Sequence, residues 1–149
     1  MILFVCTGNT CRSPMAAVLA IKMLAEAGID CAVQSAGVSA SPECGASTHA
    51  IRVMDEEGCD LLSHRSQRVT DALLAEAKLV LTMTKGHRSA VLFSCPGVGD
   101  KVFTLYEYAG YGRDIGDPFG GDYNIYRACA TQIKDLLQEC IKKLKKGGI

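Results

Sequence analysis

VCTGNTCRSP, residues 5–14, carries the chain from an apolar run into a helix start within ten residues. Residues 2–5, Ile-Leu-Phe-Val, form a short continuous apolar stretch, the pattern of a strand buried on both faces. At the other end, Ser13 reads as a helix N-cap and Pro14 as the first helical residue, with Met15, Val18, Leu19 and Met23 falling on one face. Strand, glycine-containing loop and helix in that order open a βαβ unit.

The same alternation continues outward. Gly28 stops the first helix, residues 31–36 read as a second strand, and 47–57 as a helix ending at Gly58. A short helix over 70–77 leads into an apolar strand at 79–83, a helix at 85–93 and a fourth strand at 102–103. One long helix is expected over 122–146, with Tyr126, Ala130, Ile133, Leu137, Cys140 and Leu144 at helical spacing. Strands alternating with helices predict an α/β fold with a doubly wound parallel sheet. Ligands in such sheets bind beyond the carboxyl ends of the strands, where residues 6–13 lie.

With 149 residues and no repeat, linker or low-complexity segment, the chain reads as one domain spanning 1–149. Sixteen basic and sixteen acidic residues leave a formal net charge of zero, so nothing global attracts nucleic acid or an anionic membrane. Lys142, Lys143, Lys145 and Lys146 read as a solvated helix end whose cations complement the helix dipole. No apolar run approaches the roughly 18 residues of a membrane span. The N-terminus has no basic region ahead of its apolar residues, and a cytoplasmic location is expected. The eight cysteines, at 6, 11, 31, 44, 59, 95, 129 and 140, are too scattered for a disulfide framework and read mostly as small buried apolar residues. Without a C-x-x-C pair, and with histidines only at 49, 64 and 87, no metal and no other cofactor is expected.

The spacing of Cys6 and Arg12 is weak evidence taken alone. Eight cysteines and seven arginines make a chance match unsurprising, and Cys59 to Arg65 repeats the spacing. That second match follows a helix stop, contains two leucines and precedes no expected helix, so it reads as coincidence. Around Cys6 the context differs. Gly8 and Asn9 tolerate left-handed backbone geometry and can turn successive N–H groups inward, and the helix N-terminus adds its positive end. The result is an anion site suited to phosphate, with Arg12 at its rim able to clamp two oxygens. Cys6, on the floor, is favoured as a thiolate by those dipoles and by Arg12, and is placed for in-line attack on phosphorus.

Cys11 sits where the helix begins and is the poorer nucleophile. It reads either as a resolving thiol, a redox partner for Cys6 on oxidation, or as a packed small residue. The loop is no nucleotide-binding P-loop, since GNTCRS lacks the Gly-Lys-Ser/Thr ending. Transfer of a phosphoryl group to sulfur requires an acid for the leaving group, and Asp117 in GDPFGG, fixed by the following proline, is the candidate.

FVCTGNTCRSP at the start, SAG at residues 35–37 and DPFGG at residues 117–121 together resemble the low-molecular-weight protein tyrosine phosphatase family, over essentially the whole chain. The resemblance implies a three-layer fold with a central four-stranded parallel sheet flanked by helices, and a metal-independent two-step hydrolysis of phosphorylated proteins. Cys6 becomes a phosphocysteine; Asp117 protonates the leaving group and then activates water. Thr7, Gly8, Asn9, Thr10, Cys11, Arg12 and Ser13 form the phosphate loop. Ser13 is expected to hydrogen-bond the Cys6 thiolate, and Asn9 to hold the loop shape, supported by Ser35 and His64.

Two positions resemble the bacterial protein arginine phosphatase branch. Tyrosine phosphatases of the family typically carry a bulky aliphatic residue where this loop has Thr10, and a DPY segment where this chain has DPFGG. A small hydroxyl-bearing wall leaves room for a planar guanidinium, whereas a phenol prefers an apolar wall. Phe119 is expected to line the pocket along the substrate stem. The basic residues of SHRSQRVT, residues 63–70, depart from the family and predict a different outer surface. Three rivals stand beside this reading: a tyrosine phosphatase, a thioredoxin-coupled arsenate reductase, and a phosphate-binding module without catalysis. The reductase needs a redox cysteine pair after the third strand, where only Cys95 is found. The binding module needs neither the nucleophile nor the acid.

Overall fold

The computed structural model describes residues 1–147, so the last two residues of the expected 1–149 domain lie outside the described residues. Four parallel strands, β1 (Ile2–Cys6), β2 (Val33–Gly37), β3 (Leu79–Thr82) and β4 (Val102–Thr104), form one sheet in the order β2-β1-β3-β4. Helix α1 (Arg12–Glu26) connects β1 to β2, while α2 (Thr48–Glu56) and α3 (Asp71–Glu76) lie between β2 and β3. Helix α4 (Lys85–Ser94) and a 3-10 turn (Pro96–Lys101) precede β4, after which come α5 (Leu105–Ala109) and α6 (Tyr123–Gly147). This is the doubly wound parallel α/β architecture expected from the alternation, with the four strands and flanking helix layers that the resemblance implies.

Side-chain alternation along β1 builds the two interior layers. Ile2, Phe4 and Cys6 join the larger apolar cluster with Met15 and Leu19 of α1, Val53 and Met54 of α2 and Ile133 and Leu137 of α6. Leu3 and Val5 point the other way, to Leu74 of α3, Val91 of α4 and Val98. All five residues of β1 are buried, which requires the continuous apolar run. Burial also pushes the Cys129 and Cys140 thiols up to about 12, so both are protonated small apolar residues of the α6 core face.

Strand β1 pairs with β2 on one side and β3 on the other, and its carboxyl end is where the connections part in opposite directions. Cys6 is its last residue, so the loop behind it opens at the crevice that doubly wound sheets use for ligands.

The expected elements lie within two residues of their observed ends, but the start of the first helix is built differently from its expected cap. Helix α1 starts at Arg12, with Cys11 in the N-cap position and no side-chain cap bond, so Ser13 is not the N-cap. Pro14 stands third in the helix, where its missing N–H would have had no helical partner anyway. The Ser13 hydroxyl turns instead to Cys6 Sγ and Asn9 Nδ2. Helix α5 and the 3-10 turn add to the elements expected from the sequence. Helix α5 nonetheless carries a signature: Thr104 and Glu107 form a reciprocal capping box, and Gly110, in left-handed geometry, ends the helix.

Candidate active site

The loop from Thr7 to Cys11 is held from both flanks. Val38 N donates to Cys6 O and Ser39 N to Thr7 O, each at 2.9 Å, and Ser47 N donates to Thr10 O at 2.9 Å. Gly37, at the end of β2, admits this close approach: a Cβ there would lie 2.4 Å from Thr7 O and 3.0 Å from Asn9 N. Glycine at this position is a matter of space between backbones.

Asn9 is the keystone. It is fully buried and adopts a φ of 56°, a left-handed conformation that asparagine tolerates better than most residues. Its Nδ2 donates to Ser13 Oγ and to Ser35 Oγ, both at 2.9 Å, and its Oδ1 accepts from Gln67 N at 3.0 Å. His64 Nε2 donates to Asn9 O at 2.7 Å. Both Nδ2 hydrogens and one lone pair of Oδ1 are thereby engaged, which fixes both the residue and the curve of the loop.

Inside the loop, Cys6 Sγ lies 2.8 Å from Ser13 Oγ. Arg12 is 4% exposed; its Nη1 donates to Ile115 O at 2.8 Å, while its buried Nε has no hydrogen-bond partner among the described residues. An orphaned guanidinium N–H beside a thiol is a donor in want of an anion. Ile115 N in turn donates to Met83 O at 3.0 Å, so the segment bearing Asp117 is docked on the end of β3 and on Arg12.

Asp117 closes the site from the opposite side. Its side chain is 54% exposed, with Oδ2 3.6 Å from Arg12 Nη2 and Oδ1 accepting from Phe119 N at 3.1 Å. The turn continues through Gly120 at φ 79°, so the DPFGG segment presents its carboxylate on a tight, self-bonded loop. Phe119 is 77% exposed at the mouth. The cavity that results is about 240 Å³ and is lined by Cys6, Thr7, Gly8, Thr10, Cys11, Arg12, Asp117 and Phe119, every one singled out in the sequence. A larger cleft of about 440 Å³ between α1 and α6 is lined by apolar side chains, Lys22, Lys134, Lys142, Glu26, Glu57 and Gln138, without a nucleophile.

Cys11 is buried, with Tyr126 Oη 3.3 Å and Ser47 Oγ 3.6 Å from its sulfur. Burial, and next the hydrogen bond to Cys11, push the Tyr126 hydroxyl up to about 12, so it stays protonated and available as a donor to that sulfur. All eight cysteines are free thiols. Cys59 and Arg65, the second match to the spacing, build nothing comparable: Cys59 is buried under α1, and Arg65 bonds the carbonyls of its own turn. No group of histidines, cysteines and carboxylates among the described residues is arranged to hold a metal ion.

Thiol, loop, arginine and aspartate thus surround one cavity at the end of the first strand, and residues 1–148 match the model of the low molecular weight phosphotyrosine protein phosphatase family. The chain belongs to that family. It is 43% identical over 146 residues to a Bacillus subtilis (strain 168) protein named protein-arginine-phosphatase, covering 97% of each chain. It is 36% identical over 138 residues to the low molecular weight protein-tyrosine-phosphatase PtpB of Staphylococcus epidermidis, covering 93% of this chain and 94% of that protein. Among solved structures it is similar to a mutant YwlE arginine phosphatase with a phosphorylated active-site serine. There the TM-score is 0.94 at 42% identity, over 99% of this chain and 97% of that one.

Two participants in this phosphatase-family site were not legible in the sequence. Gln67 N reaches Asn9 from a loop, and His87 Nε2 lies 2.7 Å from Thr7 Oγ1 although the two residues stand eighty positions apart. His87 follows Thr84, whose hydroxyl accepts from His87 N at 3.1 Å, so the TKGH stretch signals a helix start but not the direction of the ring.

Proposed function

We propose that this chain is a protein arginine phosphatase that acts through a phosphocysteine on Cys6. The observation that carries the reading is the single cavity in which Cys6, Arg12 and Asp117 meet Thr10. The Cys6 thiolate attacks phosphorus in line while the P–N bond to the arginine side chain breaks, and Asp117 supplies the proton to the departing guanidine nitrogen. Arg12, whose Nε has no other partner, and the loop amides take the charge of the equatorial oxygens. Asp117, now a carboxylate, removes a proton from water as that water attacks the phosphocysteine. The S–P bond breaks, phosphate leaves and the thiolate returns, held by the Ser13 hydroxyl.

Thr10 is the specificity wall in this reading. Its short polar side chain leaves width for a planar guanidinium, and Asp117 accepts a hydrogen bond from a guanidinium N–H. The relatives named as arginine phosphatases support this choice. Ser35 and His64, through Asn9, hold the loop in shape for catalysis. A second reading, hydrolysis of phosphotyrosine, is favoured by one observation: the Phe119 ring stands exposed at the cavity mouth, where it can stack on a phenol.

Eight free thiols suit a reducing compartment, and we place the enzyme on phosphorylated proteins of the cytoplasm. Cys11 is the resolving thiol that captures an oxidised Cys6. The test of the function is phosphate release from a phosphoarginine peptide by wild type and by Cys6→Ser. Loss of turnover in the variant supports the reading, and persistent turnover overturns it.

A further inference from the structure

Thr7 is the first residue after the nucleophile, and among the described residues its side chain makes a single hydrogen bond, to the ring of His87. His87 stands in the first turn of α4 and is only 7% exposed. Its backbone N–H is taken by the Thr84 cap, Nε2 lies 2.7 Å from Thr7 Oγ1, and Nδ1 is buried with no hydrogen-bond partner among the described residues. Burial, followed by the nearby Arg12 guanidinium, pushes the imidazole down to about 4, so the ring is neutral at working pH and carries one proton.

That proton has two places to sit. On Nδ1 it would be a buried donor without an acceptor, the arrangement that folded proteins avoid most strongly. On Nε2 it is hydrogen-bonded to Thr7 Oγ1, and only a bare lone pair is left on Nδ1. The Nε2–H form is therefore preferred. Thr7 Oγ1 is then the acceptor of this bond, and its own hydrogen must be given to something else. Thr7 lines the cavity above Cys6, where the phosphoryl oxygens of a substrate would lie.

We propose that His87 is a positioning residue of the reaction: its Nε2–H fixes Thr7 Oγ1 so that the Thr7 hydroxyl donates a hydrogen bond to the phosphoryl group over Cys6. The phosphate loop thereby gains a side-chain donor beside its backbone amides, set by α4, an element that otherwise has no part in the site. The proposal rests on the phosphatase reading of this cavity. It concerns the phosphoryl group and not the leaving group, so it applies equally to phosphoarginine, phosphotyrosine and an aryl phosphate.

The experiment compares Thr7→Val, Thr7→Ser, His87→Phe, His87→Gln and the Thr7→Val/His87→Phe double variant on a phosphoarginine peptide and on p-nitrophenyl phosphate. Thr7→Val and His87→Phe are each expected to lower kcat by about tenfold or more on both substrates, with KM little changed. Thr7→Ser, and His87→Gln with an amide N–H near the position of Nε2, should recover most of the loss. The double variant should be no worse than the more damaged single one, because both changes break one interaction. A Thr7→Val enzyme within twofold of wild type, or losses that multiply in the double variant, would overturn the proposal. Two readouts do not depend on turnover. Long-range proton–nitrogen NMR of the wild-type ring at neutral pH should show His87 protonated on Nε2, and a proton on Nδ1 would contradict the proposal. Binding of orthovanadate should weaken in His87→Phe and recover in His87→Gln; unchanged binding in both counts against it. A wild type without phosphatase activity sinks the functional reading itself, and these two measurements still decide the His87–Thr7 arrangement.

Discussion

Ser13 Oγ stands 2.8 Å from Cys6 Sγ and simultaneously accepts from Asn9 Nδ2 at 2.9 Å. With its lone pair given to the asparagine, the serine hydroxyl is left to direct its proton at the sulfur. A hydrogen bond to a charged acceptor contributes roughly 1.5–3 kcal/mol. Ser13→Ala is expected to lower kcat about tenfold to a hundredfold, because the thiolate is less well held as a leaving group and as a resting nucleophile. Steady-state kinetics checks this, and an unchanged kcat would remove Ser13 from the chemistry.

Gly37→Ala should damage a residue it never replaces. The new methyl would meet Thr7 O at 2.4 Å and Ala40 Cβ at 3.0 Å, so the phosphate loop or β2 must shift. Overpacking of this kind costs about 1–3 kcal/mol of stability. Loop displacement adds a loss of activity larger than the stability change explains, read as reduced kcat at temperatures where the variant is fully folded. A variant both stable and active would mean that β2 yields without moving the loop.

Asp117→Asn keeps the Phe119 N–H contact within reach of a side-chain oxygen but removes the transferable proton. The expected loss in kcat is about 10²–10⁴-fold on phosphoarginine peptides and distinctly smaller on p-nitrophenyl phosphate, whose leaving group needs little protonation. Equal losses on the two substrates would argue for a purely electrostatic role beside Arg12.

Much of this site could be read along the chain, for physical reasons. Residues 2–5 are apolar without interruption because β1 is covered on both faces, and Gly8-Asn9 is the kind of pair that a loop with φ 56° at Asn9 demands. Ser13 shows the limit of such reasoning. Ser-Pro at a helix start suggests a cap, but the hydroxyl is pulled inward by Asn9 and Cys6, and the helix begins uncapped at Arg12. The capping box from Thr104 to Glu107 was legible in principle, as a threonine followed three residues later by glutamate, yet so short a helix lacks the periodicity that draws attention. The TKGH stretch around His87 signals only a helix start, and Gly37 enters the sequence reading only as the last residue of the SAG motif. Their importance arises from a contact across eighty residues and from the gap between two backbones, neither of which is written in residue type.

Stability should carry a mark of His87 on the pH axis. Burial and then Arg12 push the ring down to about 4, against the opposing influence of Asp114 and Asp117. The folded-state value lies below the ordinary one of 6.5, so the unfolded chain takes up the proton first as pH falls. This contribution is complete above about pH 6.5 and is lost progressively down to about pH 4, by at most about 3 kcal/mol. Denaturant unfolding of wild type should therefore lose stability more steeply over that window than His87→Gln. Parallel curves would show that the ring titrates normally in the fold.

Selectivity for phosphoarginine is assigned to Thr10 beside the Cys6 nucleophile. The most direct measurement is kcat/KM for one peptide sequence carrying phosphoarginine or phosphotyrosine, with wild type and Thr10→Ile. Wild type is predicted to favour phosphoarginine by about tenfold or more, and Thr10→Ile to lose that preference while retaining turnover of phosphotyrosine. A wild type that prefers phosphotyrosine, with a preference unmoved by Thr10→Ile, would contradict the account.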